Sequence, residues 1–356
     1  MSFFSKKYFG IDIYDNSIKI MELSGNSISA NLATYSSLDL QPDIVKNGQV
    51  INQNLLTQAI KQALSNAKPK KISNVNCIFA LPESKLILTH IRIPKSTDPK
   101  NFSKTILEKV QETIPFQAKD LYFDYKIVLT YKDYYEILFT GVQKGILDEF
   151  ITSLQQAGLK VSIVDFESAC LIRSLIANCN MNDAYAIIDI GGRTTIATIY
   201  DFCNIRFSDN MPIAGNEFTQ AIISKWNLSF QEAEEFKKTY GLDPMVEEGK
   251  VMLVLQEPMQ ELINSIKKDI NFYQGKTGRK ISKIILCGGS SDMPKIVDYF
   301  YKNLNIKTEL GNPFLKIKTN EQISSKIDYT TVAGLALRGL EKKPIESGIN
   351  LLKNIK

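Results

Sequence analysis

Two glycine-rich segments at the ends of apolar runs carry the chemistry this chain could perform. The first is Tyr185-Ala-Ile-Ile-Asp189-Ile-Gly191-Gly192-Arg193-Thr194-Thr195. A buried strand that runs into Asp-x-Gly-Gly and then Thr-Thr can set backbone amides and a hydroxyl around phosphate oxygens, with the carboxylate ready for a cation. The second is Lys283-Ile-Ile-Leu-Cys287-Gly288-Gly289-Ser290-Ser-Asp-Met293-Pro294. There an apolar strand meets a Gly-Gly turn and a helix is expected to open near Met293-Pro294, so the backbone can lie close to a flat ligand. A third segment, Tyr8 to Leu23, reads as strand, polar turn and strand, with Asp12 ending the first strand and Asp15-Asn16-Ser17 forming the turn. Together the segments point to a bound nucleotide.

The elements that must position these residues follow from periodicity. Residues 8–40 read as a β-meander. Asn52 to Leu64 has the spacing of an amphipathic helix, and Val75 to Ala80 is a short core strand. From about 81 to 150 the pattern changes to strand 85–93, helix 99–114, strands 121–130 and 134–142, and helix 144–157, a compact α+β insert. Val161–Val164 and a helix through Glu167 to Leu175 return to the first domain. Strands at 184–190, 195–200 and 203–208 then open a second meander, so two Asp-ended meanders suggest an internal duplication. A helical segment 214–240 and a helix from about Glu257 to Tyr273, with Pro258 in its first turn, follow as the cap of the second domain and one wall of a cleft. Tyr329 to Leu340 is a small-residue-rich helix suited to close packing.

Composition sets bounds. With 356 residues and 44% hydrophobic content the chain can bury two cores. A net charge of +5, from 43 basic and 38 acidic residues with no long basic run, argues against nucleic acid as a partner. The five cysteines form no CxxC pair, so neither a metal cluster nor a disulfide framework is expected, and a reducing compartment is the simpler home. No apolar run approaches the roughly 20 residues that span a bilayer, and Met1 to Lys7 lead into a core strand rather than a signal-type apolar region. Membrane association would therefore come through a partner. The single histidine, His90, reads as a strand residue rather than a base or ligand.

In this order, Asp-turn-strand, Asp-x-Gly-Gly and Gly-Gly resemble the phosphate-1, phosphate-2 and adenosine motifs of the actin-like ATPase superfamily. The insert sharpens the resemblance. Ile114-Pro-Phe116 followed by Asp124-Tyr125 is similar to the insert of the PilM family of type IV pilus assembly components. Gln156 to Leu159, Val164 to Ala169, Ile213 to Thr219, Ala233 to Lys237 and Val332 to Gly339 are similar as well. The match covers about 8–340. It implies an α/β, two-domain actin-like fold: residues 1–80 and 151–182 as the first domain, 81–150 as the insert, 183–340 as the second domain with a helical subdomain 214–280, and 341–356 as a tail.

The resemblance also implies site residues. Asp12 and Asp189 match the acidic positions near magnesium. Ser17 and Lys19 fall on the phosphate-1 hairpin, Gly191, Gly192, Thr194 and Thr195 on the phosphate-2 loop, and Gly215 and Asn216 on a turn near the phosphates. Glu234 and Lys237 match helix positions that reach the ribose or adenine, and Gly288, Gly289, Ser290 and Met293 the adenosine motif. No catalytic residue is assigned; the candidates are Asp12, Asp189 and Glu167, the last placed to sense the metal shell. The motifs imply ATP and Mg2+ binding, and because family members carry glycine where this chain has Tyr14, the resemblance implies slow or absent hydrolysis.

The resemblance further implies a cytoplasmic adaptor, peripheral to the inner membrane, that docks the N-terminal peptide of a PilN-like membrane protein and switches with nucleotide. The tail, Ile349-Asn350-Leu351-Leu352, resembles the segment such a partner uses, which implies a place in the same groove in its own or a neighbouring molecule; read from its residues alone it is a flexible terminus with a few apolar residues. The alternatives are an FtsA-like cell-division filament protein, for which Ile349–Lys356 is short as a membrane helix, and a small-molecule kinase of the same superfamily.

Overall fold

The computed structural model describes residues 7–353; the first six and last three residues, including the start of the chain and the end of the tail read above, lie outside the described residues. The chain divides into two units. The first is built from residues up to Ala177, from Phe314–Glu321 and from Thr331 onward, and the second from Asn178–Pro313 and Gln322–Thr330.

The chain begins with the meander β1 (Phe9–Ile13), β2 (Ser17–Gly25) and β3 (Ala30–Asp39), then a small hairpin of β4 (Val45–Lys46) and β5 (Gln49–Val50). Helix α1 (Gln53–Ser65) starts at Asn52, whose side chain accepts from the Leu55 amide at 3.0 Å. Strand β6 (Asn76–Leu81) precedes the insert of β7 (Ile87–Pro94), α2 (Phe102–Gln111), β8 (Leu121–Thr130) and β9 (Tyr134–Gln143). Helix α3 (Lys144–Gln156), β10 (Lys160–Phe166) and α4 (Glu167–Leu175) follow.

Every residue of β1 is buried, because it lies between antiparallel β2 and parallel β6 with both faces covered. Phe9, Ile11 and Ile13 share one core with α1 and α3. On the other face Tyr8, Ile78, Ala80, Ile163, Cys170 and Leu335 form a second cluster, beneath α4 and the final helix. The insert is a separate antiparallel sheet in the order β7-β9-β8, with Ile106 and Val110 of α2 packed on Ile93, Ile137 and Phe139. Helix α3, which sequence spacing groups with the insert, instead sends Leu147, Phe150 and Leu154 into the main core.

The second unit opens with β11 (Tyr185–Ile190), β12 (Thr195–Asp201) and β13 (Asn204–Met211). Helices α5 (Gly215–Trp226) and α6 (Phe230–Tyr240) are two elements rather than one segment. Asn227, left-handed at φ 53°, ends α5, and Ser229 caps α6 in a reciprocal box with Glu232. Helix α7 (Lys250–Thr277) starts one to two turns before the position expected from sequence, so Pro258 is interior rather than at the first turn. Val251 and Leu255 extend the buried stripe of Met259 and Leu262, and that burial carries the helix past the proline. Strand β14 (Lys283–Cys287), α8 (Ile296–Leu304) and β15 (Thr308–Leu310) complete the unit. Helix α8 begins after left-handed Lys295, not at Met293-Pro294.

Finally β16 (Ile317–Lys318) pairs with β3, and α9 (Thr330–Gly339) returns to the first unit. The sequence division places 331–340 with the second domain; close packing places them with the first. A Cβ on Gly334 would fall on the Cys170 carbonyl, and one on Gly10 would meet the Val332 carbonyl at 2.8 Å. The sheet orders β3-β2-β1-β6-β10 and β13-β12-β11-β14-β15 are the same pattern of three antiparallel and two further parallel strands. The duplication suggested by the two meanders is thus present in topology.

One expectation about cysteine is corrected. Cys179 and Cys203 form a disulfide with Cα atoms 5.3 Å apart. Phe202 and Cys203 are both left-handed, and this tight β12–β13 turn carries Cys203 back to the segment before β11. Cys77, Cys170 and Cys287 are buried free thiols, each pushed up by burial.

Candidate functional site

In the second unit four segments meet. Asp189 lies near the end of β11, opposite Cys287 of β14, and is 7% exposed. Gly288, at φ 83°, follows Cys287, and any Cβ there would clash with the Asp189 carboxylate and the Ile190 carbonyl. Glycine is therefore required by both conformation and space.

The Gly191–Thr194 turn closes through the Gly191 amide on the Thr194 carbonyl at 3.1 Å. Its carbonyls are then read by the next element: the Gly215 amide donates to Gly191 at 3.0 Å and the Asn216 amide to Gly192 at 2.7 Å. The Ser290 hydroxyl also donates to the Gly191 carbonyl, at 3.1 Å. Gly215 is the first residue of α5, and a Cβ on it would clash with the Ser290 hydroxyl and meet the Gly191 carbonyl and Lys237 Nζ at 3.1 and 3.2 Å. The result is a tight backbone cradle at the start of α5, in which the Gly215 and Asn216 amides are taken by the Gly191 and Gly192 carbonyls.

Helix α6 is tied to the same place. The Leu242 amide after its end donates to the Pro294 carbonyl at 2.9 Å, which joins it to the 288–294 loop. Lys237 is buried at 4% exposure; its Nζ donates to the Gly215 carbonyl at 2.9 Å and the Thr219 hydroxyl at 2.8 Å, and pairs with Glu234. Burial lowers the Lys237 pKa, and Glu234 opposes that shift. Lys237 is thus a buried cation whose three donors are spent on Gly215, Thr219 and Glu234, and it reaches a phosphate or ribose oxygen only by exchanging one of them.

Not every expected ligand is free for one. Thr195 is fully buried and its hydroxyl donates to the Ile213 carbonyl at 2.7 Å, so it braces the turn to the approach to α5. Met293, 4% exposed, is part of the core. Thr219, absent from the sequence assignment, joins Gly215, Glu234 and Lys237, and its place one turn after Gly215 was the available signal. Asp328 was also missed; its carboxylate lies over Gly289, where a Cβ would meet it at 2.8 Å. No local motif marks it.

In the first unit Asp12, 3% exposed, sits opposite Lys19 of β2 and Ala80 of β6, and Asp165 of β10 is the next residue in that row. Opposite residues of a ladder share a face. The hairpin turn closes with the Tyr14 amide on the Ser17 carbonyl at 2.9 Å, and Tyr14 is not among the left-handed residues. Tyrosine thus needs no strained backbone at the position where relatives are expected to carry glycine. Asp15 points its carboxylate at the β4–β5 turn, accepting from Asn47 at 2.7 Å and Gly48 at 2.8 Å. Ser17 is buried and Lys19 half-buried.

Glu167 is 4% exposed and accepts from the Glu83 amide at 2.6 Å, while Glu83 accepts from the Ser168 amide at 3.0 Å. This reciprocal pair ties the end of β6 to the start of α4, which is the role the structure gives Glu167. Among the described residues there is no cluster of three or more metal-ligating side chains. Magnesium does not require one, since it is commonly held by one or two carboxylates plus phosphate oxygens and water.

A family model described as type IV pilus assembly protein PilM matches residues 10–340. Among solved structures the chain is similar to the PilM-PilN type IV pilus biogenesis complex, with TM-score 0.84, 21% identity, and 95% of this chain and 99% of that one covered. It is also similar to MreB 5 of Spiroplasma citri bound to AMPPNP, with TM-score 0.54, 13% identity, and 93% and 95% covered. The cell division protein FtsA of Buchnera aphidicola subsp. Acyrthosiphon pisum (strain APS) is 26% identical over 218 residues, 54% of this chain and 52% of that protein. The chain spans about half the length of the first curated relatives it matches.

Proposed function

The chain belongs to the PilM family of type IV pilus assembly proteins, and from that premise we propose that it is a nucleotide-binding adaptor whose ligands are ATP and magnesium and whose partner is a PilN-like membrane protein. The observation that carries the nucleotide reading is the cradle of Gly191, Gly215 and Ser290 over buried Lys237. The fold supports it, because MreB 5, with the same architecture, is described as bound to AMPPNP. The solved PilM-PilN complex supports the choice of partner.

In this reading the α5 N-terminus, the Gly191–Gly192 turn and Lys237 hold phosphate and ribose oxygens, the Gly288–Ser290 loop supports the base, and Asp189 faces the cation. Bound magnesium would neutralise phosphate charge. Hydrolysis needs a group to orient water. Glu167, one of the three catalytic candidates, accepts from the Glu83 amide, and with Tyr14 in the first turn this supports a switch with slow or no turnover. Nucleotide can bias partner binding only by its differential affinity for two states, typically about 1–3 kcal/mol.

No helix among the described residues is long and apolar enough to cross a membrane. In this reading the PilN-like partner supplies the inner-membrane location and this chain lies on the cytoplasmic side.

The test is calorimetry of MgATP with the native chain, Asp189→Ala and Lys237→Met, followed by phosphate release. The expected result is binding that weakens in both variants, with negligible turnover. Absence of binding to the native chain would remove the nucleotide from the proposal and leave partner docking alone. ATP-dependent sedimentation of filaments would favour the FtsA-like alternative, and phosphate release only on adding a sugar or acid would favour a kinase.

A further inference from the structure

The bridged cysteines differ from the free ones in where they lie. Cys179 is exposed and Cys203 half-buried, whereas Cys77, Cys170 and Cys287 are buried thiols. The bridge spans 24 residues, and the loop it closes holds β11, the Gly191–Thr194 turn and β12. Cys179 belongs to the stretch by which the chain passes into the second unit, which starts at Asn178. One covalent bond therefore ties that stretch to the β12–β13 turn and fastens the base of the hairpin whose other end is the Gly191–Thr194 turn.

The two segments are also held without the bond. Arg279 Nε and Nη2 donate to the Asp201 carboxylate at 3.0 and 2.6 Å, and Nη2 donates to the Met181 carbonyl at 3.1 Å. The same guanidinium lies 4.5 Å from the centroid of the Phe202 ring, and the Tyr273 hydroxyl donates to Asp201 at 2.8 Å. Asp201 and Phe202 directly precede Cys203, while Met181 follows Cys179 by two positions and sets its Sδ 3.5 Å from Cys203 Sγ. Arg279 thus clamps both cysteine-bearing segments, so thiols released by reduction stay within reach of each other and re-form the bond as an intramolecular step. A bridge that is open to solvent and formed by a pre-positioned pair exchanges readily, unlike one sealed in a core. In a thiol-rich compartment the disulfides that do form are mostly transient or redox-sensing.

We propose that Cys179 and Cys203 are a reversible thiol–disulfide site, which exchanges with low-molecular-weight thiols and their disulfides and locks the base of the β11–β12 hairpin when oxidised. A small thiolate attacks the exposed Cys179 sulfur, the S–S bond breaks, and Cys203 leaves as a thiolate. A second small thiolate then displaces Cys179 from the mixed disulfide. Two small thiols are oxidised to one disulfide, and the two electrons and two protons they give up end on the protein sulfurs. The reverse sequence, with the small disulfide as oxidant, restores the bridge. Only the thiol-rich setting rests on the cytoplasmic reading; the exchange itself needs neither nucleotide nor partner.

The experiment equilibrates the full-length chain, without nucleotide, in mixtures of reduced and oxidised glutathione. Solvent-open thiols of the folded chain are counted by brief maleimide labelling with peptide mapping, and a thermal melt is recorded on each sample. The expected result is no labelled cysteine where oxidised glutathione prevails, labelling of Cys179 and Cys203 where reduced glutathione prevails, and return of the bridge when the mixture is reversed. Reduction should lower the melting midpoint of the second unit by about 5 °C or more. Cys203→Ser should melt at the reduced chain's midpoint in every mixture, and Cys179→Ser takes its place if that variant does not fold. Labelling of both cysteines in every mixture overturns the proposal, because the pair then does not bond. Labelling of neither in a large excess of reduced glutathione overturns it as well, because the bridge is then permanent. Glutathione retained on Cys179 instead of the bridge, or a midpoint that follows the mixture equally in Cys203→Ser, also overturns it. A chain that binds no MgATP can pass this test and one that binds it can fail, so the two readings are judged separately.

Discussion

The two Asp-ended hairpins, β1–β2 in the first unit and β11–β12 in the second, share strand topology but differ in what secures their turns. At the first, the turn closes on itself, and a side chain, Asp15, ties it to the amides of Asn47 and Gly48. At the second, the turn's own carbonyls accept from Gly215, Asn216 and Ser290, and glycines permit that approach. The first arrangement tolerates a tyrosine in the turn; the second leaves no room for a Cβ at 215 or 288. A duplicated fold has thus kept its backbone-built cradle in one half while the other half relies on a side-chain latch.

The most disruptive way to probe this difference is Gly215→Val. Its side chain would enter the space of the Ser290 hydroxyl, the Gly191 carbonyl and Lys237, so a loss of about 3 kcal/mol or more of second-unit stability is expected, with loss of MgATP binding. Urea unfolding and calorimetry report the two effects, and a folded, ATP-binding variant would end the backbone-cradle account.

Buried carboxylates extend the comparison. In the first unit burial pushes the Asp165 carboxyl up, but the Arg338 and Arg173 guanidiniums outweigh it and hold the pKa below its ordinary value. In the second unit Asp269 of α7 is pushed up to about 6 by burial and by Asp209 of β13, with Lys268 opposing. The unfolded Asp269 ionises at its ordinary lower pKa, so the stability from its protonated form is complete below that value and is lost as pH rises through about 6. Asp269→Asn is accordingly expected to stabilise the second unit by about 1–2 kcal/mol at pH 7.5 and to have little effect near pH 4. Thermal melts at the two pH values would decide it, and equal shifts at both would remove Asp269 as the cause.

Asp15→Ala should free the two hairpin amides at a cost of about 1–2 kcal/mol. Hydrogen exchange at Asn47 and Gly48 should accelerate while the β11–β12 turn is unchanged; exchange that does not move would mean that Asp15 is not the latch. The smallest effect is expected for Tyr14→Gly. Because Tyr14 has no left-handed backbone to relieve, the change should cost below about 1 kcal/mol. A rise in phosphate release in this variant would identify the tyrosine side chain as what limits turnover.

Much of this was legible in the sequence because it is local. Strand β14 and helices α4 and α1 follow from periodicity and caps, and the Gly191 and Gly288 loops from glycine pairs after apolar strands. What escaped depends on contacts distant in sequence. Helix α9 reads as an interface helix, but the Gly334–Cys170 and Gly10–Val332 approaches tell which unit it completes. Thr195 looks like a phosphate ligand until its hydroxyl is found on Ile213, and the Cys179–Cys203 pair has no spacing signature. Pro258 suggests a helix start, yet burial of Val251 and Leu255 overrides it.

The position of Arg338 has a consequence for synthesis on the ribosome. Fully buried, it is paired at 2.6 Å with Asp165, itself without exposed surface. Asp165 emerges together with Val164, whose contact Asn350 lies 186 residues further along. Until α9 emerges, the first unit holds a carboxylate paired with Arg173 alone and an uncovered sheet face, whereas Asn178–Pro313 provides nearly the whole second unit in one uninterrupted stretch. The earlier-made half must therefore wait for the later-made one, and a chain stalled before α9 would present a finished second unit joined to an incomplete first, a natural substrate for quality control.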